Sequence, residues 1–452
     1  VKHSYVVRDP SKMAQIVAEA FYISQNGRPG PVLIDIPKDL TDPKIKIDFT
    51  YPKKVKIRSY KPVPKESEDK IASAAKLLCS AKKPMIYTGG GIILGNAYKE
   101  LNKLVKSLNY PITNTLMGLG GYPATDEQFL GMLGMHGTYE ANNAMHDCDL
   151  LINIGARFDD RITGKIDEFS PKSKKVHIDI DPSSINKIIK VNLAIVGDVN
   201  EVLRASIKNI NKKQNGFKIS NKQNISKWWE QIQKWRLKNS LGFINSEKTI
   251  KPQHAVQRLY ELTKMQDTFI TTEVGQHQMW AAQHYKFNKP NRWMTSGGLG
   301  TMGYGLPAAV GVQIAHPDKL VIDIAGEASV LMTMQEMSTA VQYNLPIKIF
   351  VLNNQYMGMV RQWQDMNYSG RHAESLYENS LPDFVALAEA YGHVGMRVQQ
   401  INDLGPMMEK CFSLKDRVVF MDIVVDPEEH VYPMQVPGGS MRDLWLNKNE
   451  KS

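Results

Sequence analysis

A chain of 452 residues is too long for one ordinary hydrophobic core, so two or three domains are expected. Its 42% hydrophobic and 23% charged content is that of a soluble globular protein, and no apolar run approaches the ~18–20 residues of a membrane span. The formal charge of +10 raises nucleic acid as a partner. The basic residues are spread over 44–65, 172–190 and 208–222, however, are mostly Lys, and form no Arg stripe. They read as a solvated surface, with neither nucleic acid nor membrane as a partner. Cys79, Cys148 and Cys411 are scattered and form no CxxC pair. That argues against structural zinc or a disulfide framework and for a reducing compartment, cytoplasmic or plastid. The sequence starts at Val1 without a targeting pattern, and VKHSYVVRDP reads as mid-domain, so a chain trimmed at its N-terminus is expected.

In chain order, residues 11–25 have helical periodicity, with Ser11 as the expected cap, and Val32–Ile36 reads as a buried strand. One helix and one strand cannot fold alone, so 1–40 reads as the end of a larger α/β domain. Residues 41–65, with Pro43, Pro52, Pro62 and Pro64 among many Lys, read as a linker. A second α/β unit is expected over 66–212. Its five apolar strands, at 85–88, 111–115, 150–154, 176–180 and 194–196, each end in a Gly-rich or acidic loop. Glycines let backbone amides approach a diphosphate, and an acid at a strand end can hold a ribose hydroxyl. None of these loops is a G-x-G-x-x-G fingerprint. Residues 213–250 read as a connector whose amphipathic helix carries Trp228, Trp229 and Trp235. Such a helix suits a membrane surface, but its place between two folded units favours packing. The last domain is expected over 251–452.

That domain holds the most informative stretch. The apolar run Leu320–Ala325 ends in Gly326-Glu327-Ala328-Ser329, a helical pattern follows, and a second run, Ile347–Leu352, ends in Asn353-Asn354. Strand, helix and parallel strand place Glu327 and Asn354 at one carboxyl edge of a sheet, where open α/β sheets bind ligands. A carboxylate, a side-chain amide and a backbone carbonyl beside a diphosphate suit a hard divalent cation.

Gly326-Glu327-Ala328, 24 residues (329–352) and Asn353-Asn354 resemble the thiamine diphosphate motif. With the flanks LMTMQEMSTAVQ and GMVRQWQ, and with GMHGTYEANNAMHDCDLLINIGARFDDRITG, IDIDPSSI and VGDV further upstream, the chain resembles the catalytic subunits of the acetohydroxyacid (acetolactate) synthase family. Glu327 departs from the pattern, in which Asp is commoner; the longer side chain puts metal affinity in question.

The resemblance implies an α/β, multi-domain fold of parallel sheets flanked by helices, a thiamine-diphosphate-binding fold plus a central FAD-binding Rossmann-like domain. It implies a transferase and flavoprotein using thiamine diphosphate, Mg2+ and FAD. Pyruvate is decarboxylated and its hydroxyethyl group passes to a second 2-oxo acid, pyruvate or 2-oxobutyrate, in branched-chain amino acid biosynthesis. Glu327, Asn354 and the Tyr356 carbonyl would hold the metal. Val274, Gly275, Gln276, His277, Gly300 and Met302, with Gly326, Ala328 and Ser329, would surround thiamine diphosphate, Met302 as a wedge. Arg28, Gly89, Gly90, Leu116 and Met117 would face the flavin. So would Gly134, Met135, His136, Gly137, Gly155 and Arg157, with Asp179, Ile180 and Asp198. Arg161 would hold the acceptor carboxylate, Trp363 and Met359 would shape the acceptor pocket, and Lys38 would stand at the substrate entrance. Taken alone, Lys38 reads as a surface lysine, Met302 as a core methionine and Trp363 as a core aromatic. The activating Glu of the family lies upstream of this sequence, so the chain alone is expected to be inactive. The family also implies a homodimer or tetramer with sites between subunits and a small regulatory subunit. Two other readings stand beside this one: a pyruvate oxidase or glyoxylate carboligase type of enzyme, and a non-catalytic cofactor-binding homologue. The paired GARFDDR and GMVRQWQ signatures argue against the first; Asn353-Asn354 and Trp363 argue against the second.

Overall fold

The computed structural model describes all residues except 48, 63–66 and 378, and no side chains over 212–221. Part of the expected 41–65 linker, with its junction to the next unit, therefore lies outside the described residues. At the N-terminus β1 (His3–Val6) pairs in parallel with β2 (Val32–Asp35) across the helix Met13–Gln25. The short, half-polar HSYV segment gives no periodic signal, so this βαβ unit was only half legible. The expected Ser11 cap is corrected: Asp9 accepts from Ser11 N at 3.0 Å and caps a short turn, Pro10–Lys12, before the helix begins.

The central sheet contains β3 (Pro84–Thr88), β4 (Ile112–Asn114), β5 (Phe129–Met132), β6 (Leu150–Ile154), β7 (Lys174–Asp179) and β8 (Leu193–Val196). They run in parallel in the order β5-β4-β3-β6-β7-β8. β3 and β6 are buried at every residue. A parallel strand covered on both faces must be apolar throughout, which is why these runs were readable. β5 was not, because FLGM alternates around a glycine.

The helix Val199–Arg236 is continuous, so the expected boundary at 212/213 falls inside it. Its indoles fasten it back onto the central unit: Trp228 Nε1 donates to the Pro84 carbonyl at 3.0 Å and Trp229 Nε1 to the Asn109 carbonyl at 2.9 Å. Among the described residues no helix is long and apolar enough to cross a membrane.

The third sheet contains β9 (Thr268–Thr272), β10 (Trp293–Met294), β11 (Leu320–Ala325), β12 (Lys348–Asn353), β13 (Val394–Val398) and β14 (Val419–Val424). It is also parallel, in the order β10-β9-β11-β12-β14-β13. The single helical pattern expected between β11 and β12 is two short helices, Glu327–Leu331 and Glu336–Gln342. A small antiparallel sheet of β15 (Met434–Gln435), β16 (Leu444–Asn447) and β17 (Glu450–Lys451) ends the chain. It packs on the Gly-rich loop of the central unit, where Gln435 N donates to the Met135 carbonyl at 2.8 Å.

Strand order reverses between β3 and β6 in the central sheet and between β9 and β11 in the third. Crevices at such reversals, beyond the strand carboxyl ends, are where α/β sheets bind ligands. Here both open into one cavity.

Candidate active site

The cavity has a volume of about 1210 Å³ and is lined from both sheets. That exceeds the ~300–1,000 Å³ of an ordinary small-molecule pocket.

On the third sheet, the β11–β12 register pairs Ala325 with Val351, so Glu327 and Asn354 emerge side by side. Glu327 is buried at the start of its helix, and its Oε1 accepts from Gln355 N at 2.5 Å. Burial pushes its carboxyl up to about 7, against the pull of the backbone N–H groups. The two asparagines do different work. Asn353 turns away from the cavity, and its Nδ2 donates to Asp422 Oδ1 on β14 at 2.9 Å. Asn354 lines the cavity; its Nδ2 donates to Gln276 Oε1 at 3.1 Å and its Oδ1 accepts from Tyr356 N at 3.1 Å.

His277 follows β9 and packs its ring against Gly275 and Gly326, where a Cβ would come within 2.7 Å of it. Burial pushes its imidazole down to about 3, so it is neutral, and its buried Nε2 has no hydrogen-bond partner. An orphaned polar atom beside a cavity points to a missing ligand. Met302 sits half-buried on the loop before the helix Gly305–Ala315. That loop is tied down by Glu273, whose Oε2 accepts from Gly303 N at 2.6 Å and whose Oε1 accepts from Leu306 N at 3.0 Å. Sequence reasoning gave Glu273 no role. The available signal was an acid set directly after the apolar strand β9. Burial raises the carboxyls of both Glu273 and its neighbour Asp323.

On the central sheet, Gly89, Gly91 and Gly155 bring the two strand ends into backbone contact. Gly155 has φ +64°, and a Cβ there would lie 2.7 Å from Gly91 Cα. Only glycine fits this crossing. Asp179 Oδ1 accepts from Asp181 N at 2.9 Å, Asp198 caps the long helix through Asn200 N at 2.8 Å, and Arg28 reaches Asp181 at 3.4 Å. Arg157 pairs with Asp159.

Arg161, Met359 and Trp363 line the stretch of cavity between the two halves. Met359 and Trp363 are four apart on the helix Gly358–Asn367 and so share a face. Among the described residues the Arg161 guanidinium has no ion pair. Three sequence-identified positions do not line the cavity. Lys38 is exposed in the turn Lys38–Thr41. Gly134 and Gly137 shape the turn behind Met135 and His136, with Asn142 clasping Gly134 N and O, both at 2.9 Å. The remaining sequence-identified positions line the cavity: Gly90, Leu116 and Met117, Ile180, Val274, Gly300, Ala328 and Ser329 among them.

Two family models match this chain: the central domain of thiamine pyrophosphate enzymes over residues 71–206, and their C-terminal TPP binding domain over residues 273–423. The chain is 47% identical over 451 residues to the acetolactate synthase large subunit of Haemophilus influenzae, covering 100% of this chain and 78% of that protein. It is 46% identical over 454 residues to the acetolactate synthase isozyme 3 large subunit of Escherichia coli, again with 100% and 78% coverage. The chain belongs to the acetolactate synthase large-subunit family. The acetolactate synthase large subunit of Porphyra purpurea is 47% identical over 440 residues, 97% of this chain and 73% of its own length. This acetolactate synthase family member therefore uses thiamine diphosphate. The Glu327–Asn354 edge lies in the C-terminal match, and the glycine crossing at Gly89–Gly91 and Gly155 lies in the central one.

Proposed function

We propose that this cleft decarboxylates pyruvate and transfers the resulting hydroxyethyl group to a second 2-oxo acid. The products are 2-acetolactate from pyruvate or 2-aceto-2-hydroxybutyrate from 2-oxobutyrate, on the route to valine, leucine and isoleucine. The observation that carries this reading is the meeting of Glu327, Asn354 and His277 at one sheet edge, within the cavity that also holds the Gly89–Gly155 crossing. Thiamine diphosphate supplies the electron sink for breaking and making the carbon–carbon bonds. The protein's part is to hold, orient and exclude water.

Glu327, Asn354 Oδ1 and the Tyr356 carbonyl would be the oxygen donors for Mg2+, a hard cation that takes oxygen ligands. One carboxylate suffices, because the diphosphate brings its own charge. The cation also relieves the cost of ionising a carboxyl that burial has pushed up to about 7. His277, neutral and with an open Nε2, faces the diphosphate side. Met302, held by the Glu273-anchored loop, would support the cofactor from the cavity wall.

The central-sheet half would hold FAD: the Gly89–Gly91 and Gly155 backbone leaves room for a diphosphate, and Asp179 and Asp198 offer acceptors for a ribose. Its role is structural. Arg161, a planar donor fork with no ion pair among the described residues, would receive the acceptor's carboxylate. Trp363 and Met359 bound the acceptor pocket. We also propose the division 1–40, 41–65, 66–212, 213–250 and 251–452, the third and fourth joined through the continuous helix Val199–Arg236, together with a homodimer or tetramer with sites between subunits, a companion small subunit and a cytoplasmic location.

The test is product analysis with the full-length protein, pyruvate, thiamine diphosphate, Mg2+ and FAD. Acetolactate is expected; carbon dioxide or peroxide released without acetolactate overturns the reading.

A further inference from the structure

A side-chain amide has two ends of nearly the same size. A half-turn exchanges oxygen for NH2 with little steric change and opposite chemistry. A cation accepts only the oxygen. Asn354 therefore serves a metal in one of its two orientations, and something must select it.

The Asn354 amide is the end of a buried chain of hydrogen bonds that leaves the cleft. Its Nδ2 donates to Gln276 Oε1 at 3.1 Å, and Gln276 Nε2 donates to Gln362 Oε1 at 2.9 Å. Gln362 ends the chain on backbone: its Oε1 accepts from Val431 N at 2.9 Å and its Nε2 donates to Val431 O at 3.0 Å. Gln362 Nε2 also lies 3.2 Å from Met434 Sδ, a weak acceptor. The three amides are 5%, 4% and 0% exposed respectively, so water cannot repair a mismatch.

The Val431 end of the chain cannot flip. Val431 N–H can only donate and its carbonyl can only accept. Turning Gln362 over would set NH2 against N–H and oxygen against oxygen. With Gln362 Oε1 fixed, Gln276 must present its Nε2. Its Oε1 then faces Asn354, which must present Nδ2, leaving Oδ1 on the side of Tyr356 and the cavity. Each link dictates the next, and a single inverted amide leaves two buried polar groups unsatisfied, at a cost of ~1–3 kcal/mol each.

We infer that Gln362 is a positioning residue that sets the polarity of the Asn354 amide through Gln276, so that oxygen rather than nitrogen faces the cation. This rests on the proposed cation site and adds to it a support reaching back to the segment 426–434, outside the cavity. Tyr356 N–H, 3.1 Å from Asn354 Oδ1, favours the same orientation locally. Loss of the chain is therefore expected to weaken the site rather than abolish it.

The test is Mn2+ binding at saturating thiamine diphosphate, read from the electron paramagnetic resonance signal of free Mn2+, with melting temperatures alongside. Gln362→Met keeps the volume and removes donor and acceptor; its Mn2+ Kd is expected to rise roughly tenfold, the scale of lost outer-shell support. Gln362→Glu, neutral when buried, keeps a carbonyl for Val431 N–H and Gln276 and an O–H for the Val431 carbonyl. It is expected to bind Mn2+ like the parent. Wild-type affinity in Gln362→Met overturns the inference. Equal weakening in both variants, in step with their melting temperatures, also overturns it, because that is a packing effect. Glu327→Gln separates the two levels. If it binds Mn2+ as the parent does, the proposed cation site itself fails. If it loses Mn2+ while Gln362→Met does not, only the positioning role fails.

Discussion

Gly358→Ala sets two effects of opposite sign against each other. Gly358 is the first residue of the helix Gly358–Asn367, where alanine by intrinsic propensity is better than glycine by up to ~1 kcal/mol. On that ground alone the variant should be more stable. The added methyl, however, would overlap Gln276 Oε1 and lie 2.9 Å from Asn354 Nδ2. Ordinary contact requires about 3.5–4.0 Å, so the Gln276 carboxamide must retreat by at least about an ångström. The Gln276–Asn354 hydrogen bond, 3.1 Å long, then passes about 4 Å and is lost. Neither partner can follow easily, since Gln276 is tied to Gln362 at 2.9 Å and Asn354 to Tyr356 N at 3.1 Å. Leaving these buried groups unpaired costs ~1–3 kcal/mol, a ~5- to 150-fold weaker binding of thiamine diphosphate with Mg2+. The assay is titration of the protein with the cofactor at fixed Mg2+, followed by intrinsic fluorescence, with thermal melting in parallel. A variant that binds as tightly as the parent and melts higher would refute the reasoning, because propensity would then have won.

Gly155→Ala should lower flavin occupancy measured after dialysis, because a left-handed side chain costs ~1–2 kcal/mol and the Cβ would lie 2.7 Å from Gly91 Cα; unchanged occupancy contradicts the placement of FAD. Trp228→Ala should destabilise by ~3–5 kcal/mol in chemical denaturation, since it removes a buried indole, its bond to Pro84 O at 3.0 Å and its edge contact with Trp235. His284 is held neutral by burial, which pushes it down to about 4. Its folded pKa lies below the unfolded value, so its contribution is complete above ~6.5 and is lost as pH falls. Between pH 7.5 and 5.5 the parent should therefore lose about 1 kcal/mol more stability than His284→Gln; parallel pH profiles would contradict this.

The parts of the fold that were legible from sequence are those in which one local rule acts alone. β3, β6, β11 and β12 are largely apolar because they are buried on both faces, and the Gly, Glu and Asn of the loops after them line the cavity. β1, β5 and the two-residue β10 were not legible, being short, half-polar or interrupted by Gly131. The site was legible as a set of residue types but not as a set of roles. Asn353-Asn354 reads as a pair, yet Asn353 is spent on Asp422 of the neighbouring strand and only Asn354 faces the cavity. Glu273 and Gln362 were passed over because their partners lie 30–33 and 69–86 residues away. No spacing rule connects such positions; only the folded sheet edge does.

The central claim is that Glu327, Asn354 and the Tyr356 carbonyl form the cation seat of the thiamine diphosphate site. Anomalous diffraction from crystals grown with thiamine diphosphate and Mn2+ tests it most directly. The account predicts one peak about 2.0–2.4 Å from the Glu327 carboxylate, Asn354 Oδ1 and the Tyr356 carbonyl oxygen. A peak seated elsewhere in the cavity, with the Glu327 carboxylate beyond coordination distance, would contradict it.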